Sequence, residues 1–348
     1  MKPGCSLIGI VLAMACHAQP ASAAGTGLQP EAHVAPQSLP PPVRPLGCRG
    51  FELEAHRGHP EWPESSPSAF IQAITARYNG VETDARLLAD GTWVLHHDPM
   101  TGKVVRLRTG SRRVASLSYQ DWVDGYYLDR EGRLSNEQVT DAVTILSRAA
   151  AALRPGQRLN IELKSMNCEQ LQRLDAQLAS FLPRRSYGFS VLDQIGLLQC
   201  LRRFNPESYV AVVQGPHRQS MKQWLQQQAS REPQLHEPLQ SLARHPLVKK
   251  KLSTLRFKNW MTPESIRELR QLLGQNFDLH VDYRELLEDP GAVQRLRKEG
   301  VKLMTYAVSS PAEHLKGLRT LRRRGALPDG AIVDSTPAET CRALKLEP

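Results

Sequence analysis

Apolar and polar positions change period in a regular way from residue 51 onward. Short alternating or continuously apolar runs read as strands over 51–55, 81–85, 159–163, 187–192, 209–213, 252–257, 278–281, 302–308 and 331–334. Between them, apolar residues recur at three- and four-residue steps, which predicts helices over 68–78, 136–153, 193–203, 263–273 and 311–324. In the first helix the stripe is Ala69, Phe70, Ala73, Ile74 and Tyr78, and Asn79-Gly80 is its expected stop. Strands and helices alternate about eight times, with no glycine-rich dinucleotide fingerprint, and polar residues gather at strand C-terminal ends. That pattern predicts an α/β protein, a (β/α)8 TIM barrel with its site at the C-terminal rim. An open doubly wound sheet is the rival architecture.

One departure from the alternation decides where the polar residues meet. Only nine residues separate Asp84 from Val94, too few for a parallel crossover, and Asp90-Gly91 is a hairpin signal. Residues 92–97 should therefore run back beside 86–89 and return His97-Asp98 to the end where Glu82 and Asp84 emerge. Strand 51–55 delivers His56-Arg57-Gly58 into a turn at the same end. Glu82 and Asp84 lie two apart, so their carboxylates share a face, as do Glu162 and Lys164 later in the chain. His96 is out of phase with His97 and should face the other way. His59 has no partner in this pattern, and His217, His236 and His245 lack ligand spacing and read as surface residues.

The N-terminus reads differently. Lys2 precedes an apolar run, Leu7–Ala15, too short to span a bilayer, and then Ala21-Ser22-Ala23, a small-x-small cleavage pattern. Residues 1–23 are expected to be a secretory signal, which places the mature protein in the periplasm or outside the cell. The rival is a lipoprotein box at Leu12–Cys16, with anchoring through Cys16. Residues 24–47 form a leader with six prolines between Thr26 and Pro45. The folded domain is expected over 48–345, with an excursion at about 100–135 where periodicity is weak. Without the signal, four cysteines remain, and an even number in an exported chain suggests two disulfides. No Cys-x-x-Cys pair or Cys/His cluster points to thiolate zinc. The formal net charge of +10 could suggest nucleic acid, but Lys249–Lys251 and Arg322–Arg324 lie far apart without interleaved aromatics. Solvated basic faces, with a weak attraction for anionic substrates or envelope surfaces, fit better.

The ordered motifs resemble those of the glycerophosphodiester phosphodiesterase family. They are His56-Arg57-Gly58, Pro63-Glu64-Ser65-Ser66, Ala69-Phe70, Glu82-Thr83-Asp84, Asp90-Gly91, His97-Asp98 and Glu162-Leu163-Lys164, and towards the end Tyr306–Ser309 and Asp329–Asp334. Ser65-Ser66 stands where the family has Asn-Thr, and Tyr306 where it has Trp. The resemblance implies hydrolysis of a phosphodiester to glycerol-3-phosphate and an alcohol, on a barrel with a small insertion after the second strand. It implies Glu82, Asp84 and Glu162 as ligands of a divalent ion, Mg2+ or Ca2+, a hard cation that suits oxygen donors. Arg57 and Lys164 would bind the phosphate, His56 and His97 would divide the proton work, and Tyr306 would wall the pocket.

Three alternatives remain at this stage. A phospholipase C- or D-like lipid phosphodiesterase would need an apolar rim that the sequence does not display. An inactive binding protein on the same fold would not need all seven polar site residues. The basic surface could serve envelope attachment independently of catalysis. In a closed barrel the last helix packs beside the first strand, and consecutive repeats are neighbours. Cys48 is therefore expected to pair with Cys341, and Cys168 with Cys200.

Overall fold

A computed structural model describes residues 46–347 apart from 165, 193, 232–245 and 309. The expected signal segment, most of the expected leader, His236 and His245 lie outside the described residues. The first strand β1 is Glu52–His56, followed by helix α1 (Pro67–Thr75), strand β2 (Gly80–Leu87) and strand β3 (Trp93–Leu95). An excursion carries the two-residue strand β4 (Val105–Arg106), β5 (Tyr126–Leu128) and β6 (Leu134–Gln138). Six further strands follow: β7 (Arg158–Leu163), β8 (Tyr187–Leu192), β9 (Tyr209–Gln214), β10 (Asp278–Asp282), β11 (Lys302–Tyr306) and β12 (Gly330–Val333).

Eight parallel strands, β1, β2 and β7 to β12, pair in that order, and β12 pairs with β1 to close the ring. This is a (β/α)8 barrel. β3 lies antiparallel on the outer end of β2 with Arg86 opposite Val94, as the nine-residue connection requires. β4, β5 and β6 form a separate antiparallel sheet with its own core around Val105, Leu117, Trp122 and Tyr127. The main core fills the space between the ring and its helices, where Phe70, Ile145, Leu171, Leu198, Leu269 and Leu318 are all buried.

Many of the side chains inside the ring are polar. Glu54 is fully buried, accepting from Arg158 Nε at 2.8 Å and Asn160 Nδ2 at 2.9 Å. The Arg158 guanidinium lies 4.4 Å over the Tyr209 ring, whose hydroxyl meets His280 Nε2 at 2.8 Å. A charge this deep is tolerated only when each lone pair has a donor, and here each Glu54 oxygen has one.

Local departures from the expected elements have physical causes. α1 stops at Thr75, not at Asn79-Gly80, because Arg77 takes the left-handed conformation (φ 71°). Gly80 instead begins β2, where a Cβ would meet the Arg158 carbonyl oxygen at 2.8 Å. The helix expected from Asn136 begins at Ala142, N-capped by Asp141, because Leu134–Gln138 pair as an edge strand and Val139 joins the insertion's core. No strand forms over 252–257. Pro246–Thr254 is helical, and β9 and β10 already pair directly with Ala211 beside Asp278, leaving no place for another strand. His217 is not a free surface residue, since its Nδ1 lies 3.4 Å from Glu285. Among the described residues no helix is long and apolar enough to cross a membrane.

Cys48 is joined to Cys341 and Cys168 to Cys200. The last helix, Pro337–Leu344, starts at the rim and runs back toward the start of β1, so its Cys341 reaches Cys48. The first bridge spans 293 residues and the second 32. Chain-entropy reasoning assigns the longer loop about 6 kcal/mol and the shorter about 4. Paired Cys→Ser replacement at 48 and 341 should therefore lower unfolding free energy more than the pair at 168 and 200. Urea titrations of both variants check the order.

Candidate active site

Strand register brings the polar residues together. His56 lies beside Glu82 across β1–β2, and Asp84 lies beside Glu162 across β2–β7. Glu82, Asp84 and Glu162 each offer an oxygen within 4.8 Å of the others. They line a cavity of ≈ 320 Å³ at the C-terminal end of the barrel together with His56, Arg57, His97, Lys164 and Tyr306. All eight residues singled out in the sequence thus converge on one chamber. Leu192, Val213, Trp224 and Ile332 give it an apolar side.

The turn after β1 is built for Arg57. Arg57 and Ser65 both take left-handed conformations, φ 56° and 60°, and Ser65 N donates to the Arg57 carbonyl at 2.8 Å. Asn tolerates this conformation better than Ser, which explains an Asn at that position in related motifs. Ser66 caps α1 by accepting from Ala69 N at 3.1 Å, the work a Thr would also do. Gly58 (φ 100°) lets α1 approach, since a Cβ would lie 2.5 Å from the Ala69 Cβ. Arg57 then reaches Glu64 at 2.9 Å and Asp84 at 3.0 Å. Lys164 Nζ lies 3.1 Å from Asp84 and also contacts Glu162.

The electrostatics follow from burial and these two cations. Burial, reinforced by Asp84, pushes the Glu82 carboxyl well above its usual range. Burial also works against Asp84, but Lys164 and Arg57 outweigh it and hold Asp84 well below the carboxylate range. Burial opposes the charge on Arg57, and Glu64 and then Asp84 more than restore it. Glu82 Oε2 is buried and makes no hydrogen bond. A buried carboxylate oxygen left bare beside two more carboxylates is the donor set a hard divalent cation fits.

Two of the cavity histidines, His56 and His97, rest on carboxylates. His56 Nδ1 is 2.9 Å from Asp334, and His97 Nδ1 is 2.6 Å from Asp98. Burial resists ionisation of Asp334, but His56 and Arg130 hold it below the carboxylate range. Burial and then Arg57 push His97 down to about 4, against the pull of Asp84 and Asp98. Arg86 pins the His97 carbonyl with two donors, at 3.0 and 2.5 Å. Sequence reasoning assigned no role to Glu64, Asp98 or Asp334. Each stands inside a quoted motif, and Asp334 follows a strand that closes the ring against β1, which was the available signal. Tyr306 donates to the Gln214 carbonyl at 2.9 Å, so its ring forms a fixed wall. His96 turns away, buried against Trp122, with Nε2 3.0 Å from the Met100 carbonyl. His59 packs edge-on to Tyr78 and does not line the chamber.

Comparison with known proteins decides the family. The model of the "Glycerophosphoryl diester phosphodiesterase family" matches residues 56–337. The chain belongs to this family. It is accordingly a phosphoric diester hydrolase. Among solved structures, a glycerophosphodiester phosphodiesterase from Parabacteroides distasonis is 17% identical with TM-score 0.56, covering 85% of this chain and 97% of that one. A phosphodiesterase from Oleispira antarctica, in complex with the product sn-glycerol-3-phosphate, is 15% identical with TM-score 0.58, covering 84% and 96%. A glycerophosphodiester phosphodiesterase from Thermotoga maritima is 19% identical with TM-score 0.53, covering 83% and 96%. At such identities these likenesses bear on the fold. A comparison with curated proteins found no match.

The two adjacent histidines should separate in stability measurements. His96→Ala removes a buried ring and its hydrogen bond, which should cost about 2–3 kcal/mol. His97 is about one-third exposed, and His97→Ala should cost about 1 kcal/mol. Chemical denaturation of the two variants checks the difference.

Proposed function

We propose that this chain hydrolyses glycerophosphodiesters to glycerol-3-phosphate and an alcohol. The observation that carries the reading is the pair of imidazoles, each backed by a carboxylate, on a chamber that also holds Glu82, Asp84 and Glu162 with Arg57 and Lys164. The sn-glycerol-3-phosphate bound in the Oleispira antarctica relative supports the product assignment. Glu82, Asp84 and Glu162 would hold Mg2+ or Ca2+, which supplies Lewis-acid neutralisation of phosphate charge. Arg57 and Lys164 bind the non-bridging oxygens and stabilise charge that builds in the transition state. With Nδ1 of each histidine committed to a carboxylate, Nε2 is left for the substrate. One imidazole takes the proton from the nucleophile and the other gives one to the leaving alkoxide. Tyr306 and Trp224 close the apolar side and exclude water there. The two disulfides support an exported protein, because such bridges persist in oxidising compartments.

The decisive experiment incubates the purified protein with a panel of glycerophosphodiesters and measures glycerol-3-phosphate with and without chelator. Release of glycerol-3-phosphate, lost on chelation and restored by Mg2+ or Ca2+, is the expected result. Release of a phosphorylated head group instead would overturn the product assignment, and full activity after exhaustive chelation would overturn the metal.

The histidines give a second check. His56→Ala and His97→Ala should each lower kcat by roughly 10²–10⁴-fold. His96→Ala should leave kcat nearly unchanged in the protein that remains folded. An essential His96 with a dispensable His97 would contradict the assignment.

A further inference from the structure

The insertion reaches the chamber's carboxylates through Lys103 and Arg130, and the surroundings of Arg130 are built to hold it still. Arg130 sits in the turn between β5 and β6, residues 129–133. Asp129 Oδ1 accepts from Glu131 N at 3.0 Å and Arg133 N at 2.8 Å, and Asp129 N donates to the Arg133 carbonyl at 2.9 Å. Gly132 takes φ 77°, which closes the turn. The Arg133 guanidinium clamps both Asp129 and Glu131, at 2.7 and 2.9 Å. The sheet bearing this turn is fastened to the segment after β1, because Glu137 accepts from Ser68 N and Oγ at 3.0 Å and Tyr127 OH donates to the Ser65 carbonyl at 3.3 Å. The turn therefore stands at a fixed place relative to the barrel rim.

From that turn Arg130 Nη1 reaches Asp334 Oδ1 at 3.3 Å, while the other oxygen, Oδ2, meets His56 Nδ1 at 2.9 Å. Asp334 and His56 line the chamber and Arg130 does not. We propose that Arg130 is a positioning residue, which holds Asp334 so that one carboxylate oxygen is kept for His56. Its effect on the hydrolysis proposed above would pass entirely through Asp334 and the orientation of the His56 ring. A carboxylate with one oxygen anchored by a guanidinium loses a rotation that would otherwise trade its imidazole partner for water. Lys103 stands in a similar relation to Asp98 but is more than half exposed and 3.6 Å away, so it anchors far less.

The test compares Arg130→Ala, Arg130→Lys and Asp334→Asn with the double variant Arg130→Ala/Asp334→Asn. Arg130→Ala should lower kcat about 10-fold with KM nearly unchanged, and Arg130→Lys should recover most of the loss. In the Asp334→Asn background the same Arg130→Ala change should add less than about two-fold, since its route is already cut. A loss expressed in KM alone, an equal loss in both backgrounds, or no loss at all overturns the proposal. A readout independent of turnover is the downfield NMR signal of the His56 Nδ1 proton, assigned by its disappearance in His56→Gln. That signal should weaken in Arg130→Ala and return in Arg130→Lys, and an unchanged signal also overturns the proposal. A wild-type protein inactive on every glycerophosphodiester would instead strike the functional reading, with the NMR comparison still judging Arg130.

Discussion

Three carboxylates held side by side by parallel-strand register are the constraint on which the rest of the site depends. Asp84 and Glu162 are opposite one another because β2 and β7 pair as they do, and Glu82 sits two residues earlier on the same face. Their mutual repulsion is not relieved by water, because Glu82 and Asp84 are buried. Arg57 and Lys164 relieve it in part, and Arg57 needs Glu64 and a left-handed backbone to be aimed correctly. Four carboxylates then face two permanent cations. The shortfall in positive charge falls on Glu82, the member pushed furthest from ionisation and the one with a bare oxygen. The place where the protein lacks charge is also the place where a divalent ion would supply it.

The same economy governs the inside of the barrel. Strand β1 points Glu52, Glu54 and His56 inward at two-residue steps, so one strand serves both the lower network and the chamber. Glu52, Glu54, Arg158, Asp278 and Lys302 fill the lower end with ion pairs rather than with branched aliphatic layers. Such pairs add little net stability after desolvation, and the cohesion of the domain comes from helices packed on the outer surface of the ring. What the network does supply is a register that cannot slip, since moving any strand by one residue would put charges into the apolar outer shell.

Much of this was legible in the sequence because its signals are local. Two-residue spacing puts Glu82 with Asp84 on one face, and a nine-residue connection forces a hairpin that returns His97. The Glu-x-Lys strand end and the alternation of elements were enough for the barrel and for most of the polar residues singled out, whereas Tyr306 came only through the resemblance of the closing motifs. What escaped depends on partners distant along the chain. Glu54 reads as an ordinary strand carboxylate until Arg158 and Asn160 are beside it, and Asp334 reads as a strand end until the ring closes. The apolar stripe from Val139 onward looked like one helix because its first member serves the insertion's core rather than the barrel. The run 252–257 has strand-like composition, but pairing of β9 with β10 had already used the edge it would need.

The two histidines are supported by different distances along the chain, and this links closure of the fold to the chemistry. His97 takes its carboxylate from the next residue, so that pair forms wherever the hairpin forms. His56 takes its carboxylate from a residue 278 positions away, directly after the last strand of the ring. That pair exists only when β12 lies against β1 with Val333 beside Ala55. The helix after β12 carries Cys341, whose bond to Cys48 ties the segment before β1 to the segment after β12. Parallel pairing between the chain's two ends carries the largest loop-closure cost in the fold, and the covalent bridge removes most of that cost from the unfolded side. The bridge at the far end of the barrel is therefore part of what keeps Asp334 under His56, although neither cysteine comes near the chamber.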